Sequence, residues 1–197
     1  MTKDDIGPIS EFGAIVGSLA GEAIRAQIME GSEGMAEASP EEAATWLRGA
    51  VERLDAATDP QTRARIMEQM GRNCAEMNKG AIEGAWAKRR QFETLDAFLE
   101  AEEKHPSRGT RLVRKGHIVH QYYKPLDYGM RCYCALWRGL QEDQTVSPTW
   151  CQCGRAFAAR VWEGHVGRPV KVEVAQCCIA GAQECEFVIN LSQPASD

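Results

Sequence analysis

The chain has 197 residues, 44% hydrophobic and 26% charged, with a net charge of −5 and a pI near 5.5. This length suits one medium domain or one domain with a helical extension, and the ordinary apolar fraction excludes wholesale disorder. A net acidic chain is poorly suited to gripping a phosphate backbone, and no apolar run is long enough to span a bilayer, so neither a nucleic-acid nor a membrane partner is expected. The opening Met1 to Asp5 leads into an amphipathic stretch without a secretory core, which implies a cytoplasmic chain with reduced thiols.

The first half reads as helices. Pro8 suits a first helical position, and Ile9, Phe12, Ile15, Val16, Leu19, Ala23, Ile24 and Ile28 follow at helical spacing, up to a break at Gly31 to Gly34. Ser39-Pro40-Glu41-Glu42 is a capping box, opening a helix that carries Ala44, Trp46, Leu47, Val51 and Leu54. Asp59-Pro60 repeats the start signal. Ile66, Met67 and Met70 then lead towards Cys74, with Gly80 as the expected interruption and a further helix from about Leu95 to Glu103. Lys88, Arg89 and Arg90 read as a solvated helix face. The turn residues from Lys104 to Gly109 mark the boundary between a helical region, 1–109, and a second region, 110–192, with a loose tail at 193–197.

Beyond Gly109 the pattern changes. Arg111 to Val113 and Ile118 to Tyr123 flank a Lys115-Gly116 turn, and Met130 to Trp137 reads as a third strand. Gln141 to Thr149 is a polar loop. Cys151 to His165 reads as a helix presenting Phe157, Ala158, Val161 and Trp162. Pro169 to Cys178 and Cys185 to Leu191 alternate as strands, separated by a turn at Gly181. The fold class is therefore α+β: a helical N-terminal half followed by a mainly antiparallel sheet with one inserted helix. The two regions are expected to pack as one globular unit.

The unusual feature is eight cysteines. Cys132/Cys134 and Cys151/Cys153 form two C-x-C pairs, followed by Cys177, Cys178 and Cys185, with Cys74 apart. On a strand, Cys132 and Cys134 would share a face. At a helix start, Cys151 and Cys153 would meet free N–H groups that favour thiolate. Thiolates are the ligands of choice for zinc and other thiophilic metals, so Cys132, Cys134, Cys151 and Cys153 are candidate ligands, with Cys74, Cys177 and Cys185 as further candidates. The alternative for each is core packing, since a free thiol behaves as a small hydrophobe. Strict alternation would pair Cys178 with Cys185 in the core, and a bulge near the turn would reverse that choice.

The segment from Cys151 through Trp162-Glu163, Gly167 to Glu173, Gly181 and Cys185 to Ile189 resembles the 4-vinyl-reductase domain. That family has a helix, a glycine-headed strand and a closing hairpin with Gly, three residues, Cys and an aromatic, positions that Gly181, Cys185 and Phe187 fit. The resemblance implies the α/β ligand-binding fold shared with nitric-oxide-binding haem domains and a Golgi transport subunit, and a role as small-molecule sensor or accessory protein. In sensor members it implies a structural zinc on three cysteines and a glutamate. Cys151, Cys177 and Cys185 occupy the cysteine positions, the glutamate position falls on Val174, and Cys153 is the residue we expect to replace it. Over nearly its full length the chain also resembles a group of standalone cysteine-rich proteins, through Gly71-Arg72-x-Cys74-Ala75, the Cys132/Cys134 pair and Ser147-Pro148-Thr149-x-Cys151-x-Cys153. Some of these are labelled hydrolases of 2-amino-thiazoline-4-carboxylate.

Other constellations are weaker. His117 and His120, three apart on a strand, face opposite sides. His165 at a helix end is expected to be favoured as imidazolium by the dipole. Ser147 lacks the nucleophile-elbow context, and neither a Walker A nor a dinucleotide-binding motif is present. Tyr122, Tyr123, Tyr128, Trp137 and Trp150 crowd near the cysteines, as a ligand pocket or as core. The leading expectation is a metal- and small-molecule-binding protein in a sensory or accessory role. Its alternatives are a cysteine-dependent hydrolase with Cys151 as nucleophile, and a thiol redox protein. The apolar stripe of the first helix could support a homodimer or pack within the chain.

Overall fold

The structure, a computed structural model, describes residues 7–35, 37–106 and 109–192. The tail at 193–197, the chain start and part of the boundary turn lie outside these residues. Six helices come first: α1 Pro8–Ala20, α2 Glu22–Ile28, α3 Pro40–Ala57, α4 Pro60–Met77, α5 Lys79–Arg89 and α6 Leu95–Lys104. Strands β1 Thr110–Lys115 and β2 Ile118–Tyr123 follow, then helix α7 Cys151–Val166, and strands β3 Lys171–Gln176 and β4 Cys185–Asn190. The sheet runs β1-β2-β4-β3, with every neighbouring pair antiparallel. The chain is α+β, as its sequence indicates.

Local chemistry sets the helix starts. Ser39 accepts from the Glu42 N–H at 3.2 Å while the Glu42 carboxylate accepts from the Ser39 N–H at 2.9 Å, closing the capping box. Asp59 accepts from the N–H groups of Gln61 and Thr62. Two helix boundaries differ from expectation. The first apolar stripe is divided at Gly21, whose φ of +92° is open to glycine and strained for other residues. Helix α4 stops at Asn78, two residues before Gly80, because the Asn78 side chain turns back to donate to the Cys74 carbonyl at 2.8 Å. Gly80 then lies inside α5, an element the sequence reading lacked.

The expected strand at Met130 to Trp137 does not form. Both edges of β2 are already taken by β1 and β4. The segment instead curls into short 3₁₀ turns, and Arg131 holds it by donating to the carbonyls of Gln141, Glu142 and Cys178.

Two cores flank α7. One gathers Phe12, Val16, Leu47, Leu54, Ile66 and Met67 from the helical half with Trp137, Trp150, Cys151, Cys177 and Ile179 from the second half. The other joins Phe98 and Leu99 to Val119, Trp162, Val172 and Ile189. The apolar stripe of α1 is thus buried within the chain. Trp137 and Trp150 meet edge to face at 5.4 Å, a geometry worth about 0.5–1.5 kcal/mol beyond the area buried. Helices α4 and α7 cross almost backbone to backbone. A Cβ at Gly71 would lie 2.2 Å from the Cys153 carbonyl oxygen.

Candidate metal centre

The cysteines arrive from five segments: the last turns of α4 (Cys74), the curled loop (Cys132, Cys134), the start of α7 (Cys151, Cys153), the end of β3 (Cys177, Cys178) and the start of β4 (Cys185). Each is placed by a local device. The 3₁₀ turn before α7 begins at Ser147, and Thr149 fastens it to α3 by donating to Asp55 at 2.7 Å. A register shift between Val174 and Gln176 ends β3, so Cys177 and Cys178 leave the strand into a turn, and the expected alternation does not govern them. Both are buried, at 3% and 1% exposure. The Cys178 N–H then donates to the Cys185 sulfur at 3.3 Å. In the curled loop the Cys134 N–H donates to the Cys132 sulfur at 3.4 Å, so this C-x-C pair is a tight turn and not two rungs of a strand.

All eight cysteines are free thiols, and most of them influence one another's ionisation. Cys151 donates to Cys177, and its ionisation is opposed by that bond, by burial, and by Cys177, Cys132 and Cys185, so its pKa is strongly raised. Cys177 is the acceptor, and its pKa is lowered by that bond with help from the Ala180 N–H. Burial and sulfur neighbours push Cys132 and Cys178 up to about 12. Cys153 is raised well above the ordinary range by burial and then by Cys134, Cys132 and Cys74. Burial raises Cys74, Cys134 and Cys185 too. No cationic side chain is a main influence on any of them. Low dielectric and crowded sulfur thus favour the neutral thiol at every cysteine but Cys177. Among the described residues, no three Cys, His, Asp or Glu side chains stand ready-made to hold an ion.

The structure redistributes the expected roles. Cys132 acts on Cys151 and is itself acted on by Cys185 and Cys177. Cys151, the candidate nucleophile, holds its proton, and the acceptor of the pair is Cys177. Val174 carries no ligand. The carboxylate acting on Cys185 is Glu184, tied to Arg111 at 2.8 Å. Cys178 is a buried neighbour of Cys185, as expected, but the two meet at a turn and not through strand alternation.

The histidines stand elsewhere. His120 pairs with Glu186 at 2.6 Å. His165 is not an imidazolium. Burial, reinforced by Arg89, lowers its pKa to about 4, overriding the helix dipole. Arg89 is itself no solvated charge, since it donates to the carbonyls of His165 and Phe92, and Lys88 pairs with Glu102 at 2.5 Å. The aromatic crowd divides as well. Trp137 and Trp150 are core, Tyr122 lies under Arg111 at 3.6 Å, and Tyr128 is exposed. Tyr123 lines a different space, a cleft of about 380 Å³ between α5, α6, α7 and the sheet, shared with Phe98, Leu112, Gln121, Trp162 and His165. Trp162 donates to Gln121 there at 2.8 Å, while His165 Nδ1 is buried with no hydrogen-bond partner among the described residues.

A family model matches residues 11–196. The chain belongs to DUF6144, a family of unknown function. No curated protein matches the sequence of this DUF6144 chain. Among solved structures, it is similar to an Fe(II) unliganded H-NOX protein from K. algicida, at 12% identity and a TM-score of 0.48, over 96% of this chain and 97% of that one. An H-NOX protein from S. oneidensis in the Fe(II)NO state is similar at 11% identity and a TM-score of 0.45, over 94% and 98%. No described helix of the DUF6144 chain is long and apolar enough to cross a membrane.

Proposed function

We propose that this protein binds a thiophilic metal ion, zinc foremost, through its cysteine web, and a small molecule in the adjoining cleft, in a sensory or accessory role of the 4-vinyl-reductase type. One observation supports the reading: six thiols from four separate segments, Cys132, Cys134, Cys151, Cys153, Cys177 and Cys185, lie in or against one hydrophobic core. Packing alone does not call for such a concentration, since any one of these cysteines could be alanine or valine in a core. The donor set is soft and thiolate-only, which suits zinc and copper(I) better than magnesium or calcium. The group nearest to a complete set is Cys132, Cys151, Cys177 and Cys185. The bound ion would supply charge compensation and cross-link the loop, α7, β3 and β4.

The cleft supports the small-molecule half of the reading. Its volume is in the range of ordinary ligand sites, and its walls mix apolar side chains with Lys88, Glu102, Thr110, Gln121, Tyr123 and His165. Helix α7 joins the two places, with Cys151 at its start and Trp162 and His165 near its end. That continuity favours a sensor or accessory protein over a hydrolase, because the buried pair Cys151 and Cys177 lies outside the cleft lining.

Elemental analysis of the full chain purified anaerobically, without chelator or affinity metal, tests the reading. The expected result is at least about one equivalent of a thiophilic metal, with proton release on reloading because the free thiols are neutral. A content below about a tenth of an equivalent, with no uptake of added zinc, would refute it.

A further inference from the structure

We infer that the cleft between α5, α6, α7 and the sheet takes a small aromatic amine in its protonated form, with the Glu102 carboxylate holding the ammonium. The inference rests on the reading that this cleft binds a small molecule, and it goes beyond that reading in naming the ligand's chemistry.

The walls are the first ground. Phe98, Tyr123, Phe157 and Trp162 bring aromatic rings to the cleft from α6, β2 and α7. Such rings pack against a planar apolar body, and their negative faces also attract a cation. Two of them are fixed in place. Trp162 donates to Gln121 at 2.8 Å, and Tyr123 meets Phe187 edge to face at 5.6 Å.

The second ground is an ion pair with unequal members. Among the lining residues the ionised side chains are Lys88 of α5 and Glu102 of α6, paired at 2.5 Å. The Lys88 side chain is 44% exposed and that of Glu102 only 14%. A lysine so placed has a flexible stem and a strongly hydrated head, and an exposed pair of this kind is weak, so Lys88 can turn out to water at small cost. The Glu102 carboxylate has no such exit. Deprived of a cation, it would stay behind as a poorly hydrated charge.

The two exchanges open to a charged ligand therefore differ. An ammonium can take the place of Lys88 on Glu102, and the displaced lysine moves into solvent. A carboxylate would have to part Glu102 from Lys88, which leaves two like charges side by side in a half-buried space. A neutral ligand would leave the pair intact and gain from the rings alone. His165 adds no positive charge to oppose an ammonium, because burial, then Arg89, lowers its pKa to about 4.

Isothermal titration calorimetry on the full chain at neutral pH tests the inference with three probes that share one body: phenethylamine, phenethyl alcohol and hydrocinnamate. The amine is expected to bind tightest, by at least about tenfold over the alcohol, and the carboxylate weakest. Glu102→Gln should bring the amine down to the level of the alcohol. Lys88→Met removes the competing ammonium and should tighten the amine. Circular dichroism checks that both variants fold, and the comparison of probes on the unsubstituted chain needs neither. An amine that binds no better than the alcohol or the carboxylate overturns this inference and leaves the cleft standing as a small-molecule site. A preference for the amine that survives Glu102→Gln, or an amine that Lys88→Met fails to tighten, does the same. Binding of none of the three overturns the small-molecule reading of the cleft as well.

Discussion

The close crossing of α4 and α7 sets Gly71 against the Cys153 backbone, and it can be tested through one methyl group. In Gly71→Ala the new Cβ would lie 2.2 Å from the Cys153 carbonyl oxygen and 2.6 Å from the Ala156 Cβ. Both fall short of ordinary contact, the first by about 1 Å, and neither a backbone carbonyl nor a Cβ can swing aside. The helices must therefore part, at the upper end of the about 1–3 kcal/mol that overpacking costs. Alanine recovers about 1 kcal/mol through helix propensity. The net loss is about 2 kcal/mol, which for a chain of this size lowers Tm by roughly 4–8 °C. Gly84→Ala is the matched control, because Gly84 lies inside α5 with nothing within 4 Å of an added Cβ. There the propensity gain stands alone and should raise stability by about 0.5–1 kcal/mol. Urea denaturation of the metal-free, reduced proteins measures both. The reasoning fails if Gly71→Ala is as stable as the parent while Gly84→Ala behaves as a helix-interior substitution should.

Two further outcomes follow from the same structure. His165 has a pKa near 4 when folded and about 6.5 in an unfolded chain. The unfolded state thus takes up the proton first. This group's contribution is complete above about pH 6.5, declines as pH falls towards 4 and levels off below that. An NMR titration should place the His165 midpoint near 4, and His165→Gln should flatten the stability slope in that window. A midpoint at or above 6 would contradict the burial argument. Ser39→Ala opens the capping box of α3 and should cost about 1 kcal/mol, read as a shift in denaturation midpoint at unchanged slope. No shift would mean that α3 does not depend on its cap.

Much of the architecture is written in short-range chemistry. The capping box at Ser39, the Asp59-Pro60 start and the alternation around Phe187 and Ile189 are each complete within a few residues, and each appears where the sequence places it. The Met130 to Trp137 segment shows the limit of such reasoning. Its apolar pattern is compatible with a strand, but the edge it would pair with is occupied by a strand that comes more than fifty residues later. His165 shows the same limit in electrostatics. Its helix-end position argues for charge, while the rings of Phe98 and Trp162 packed around it, at 5.0 and 5.4 Å, argue for neutrality, and only the fold brings them there.

The cysteines divide along the same line. The sequence by itself determined that there are eight thiols, six of them in three short pairs, because spacing is a local property. Which sulfur faces which was decided by tertiary structure alone. The helix crossing at Gly71 brought α4 against the Cys153 backbone, the register shift before Gln176 released both Cys177 and Cys178 from strand alternation, and the curled loop turned the Cys134 N–H onto the Cys132 sulfur. Cysteines separated by up to about eighty residues influence one another through packing and closure of the whole chain, and no local pattern of side chains encodes that geometry.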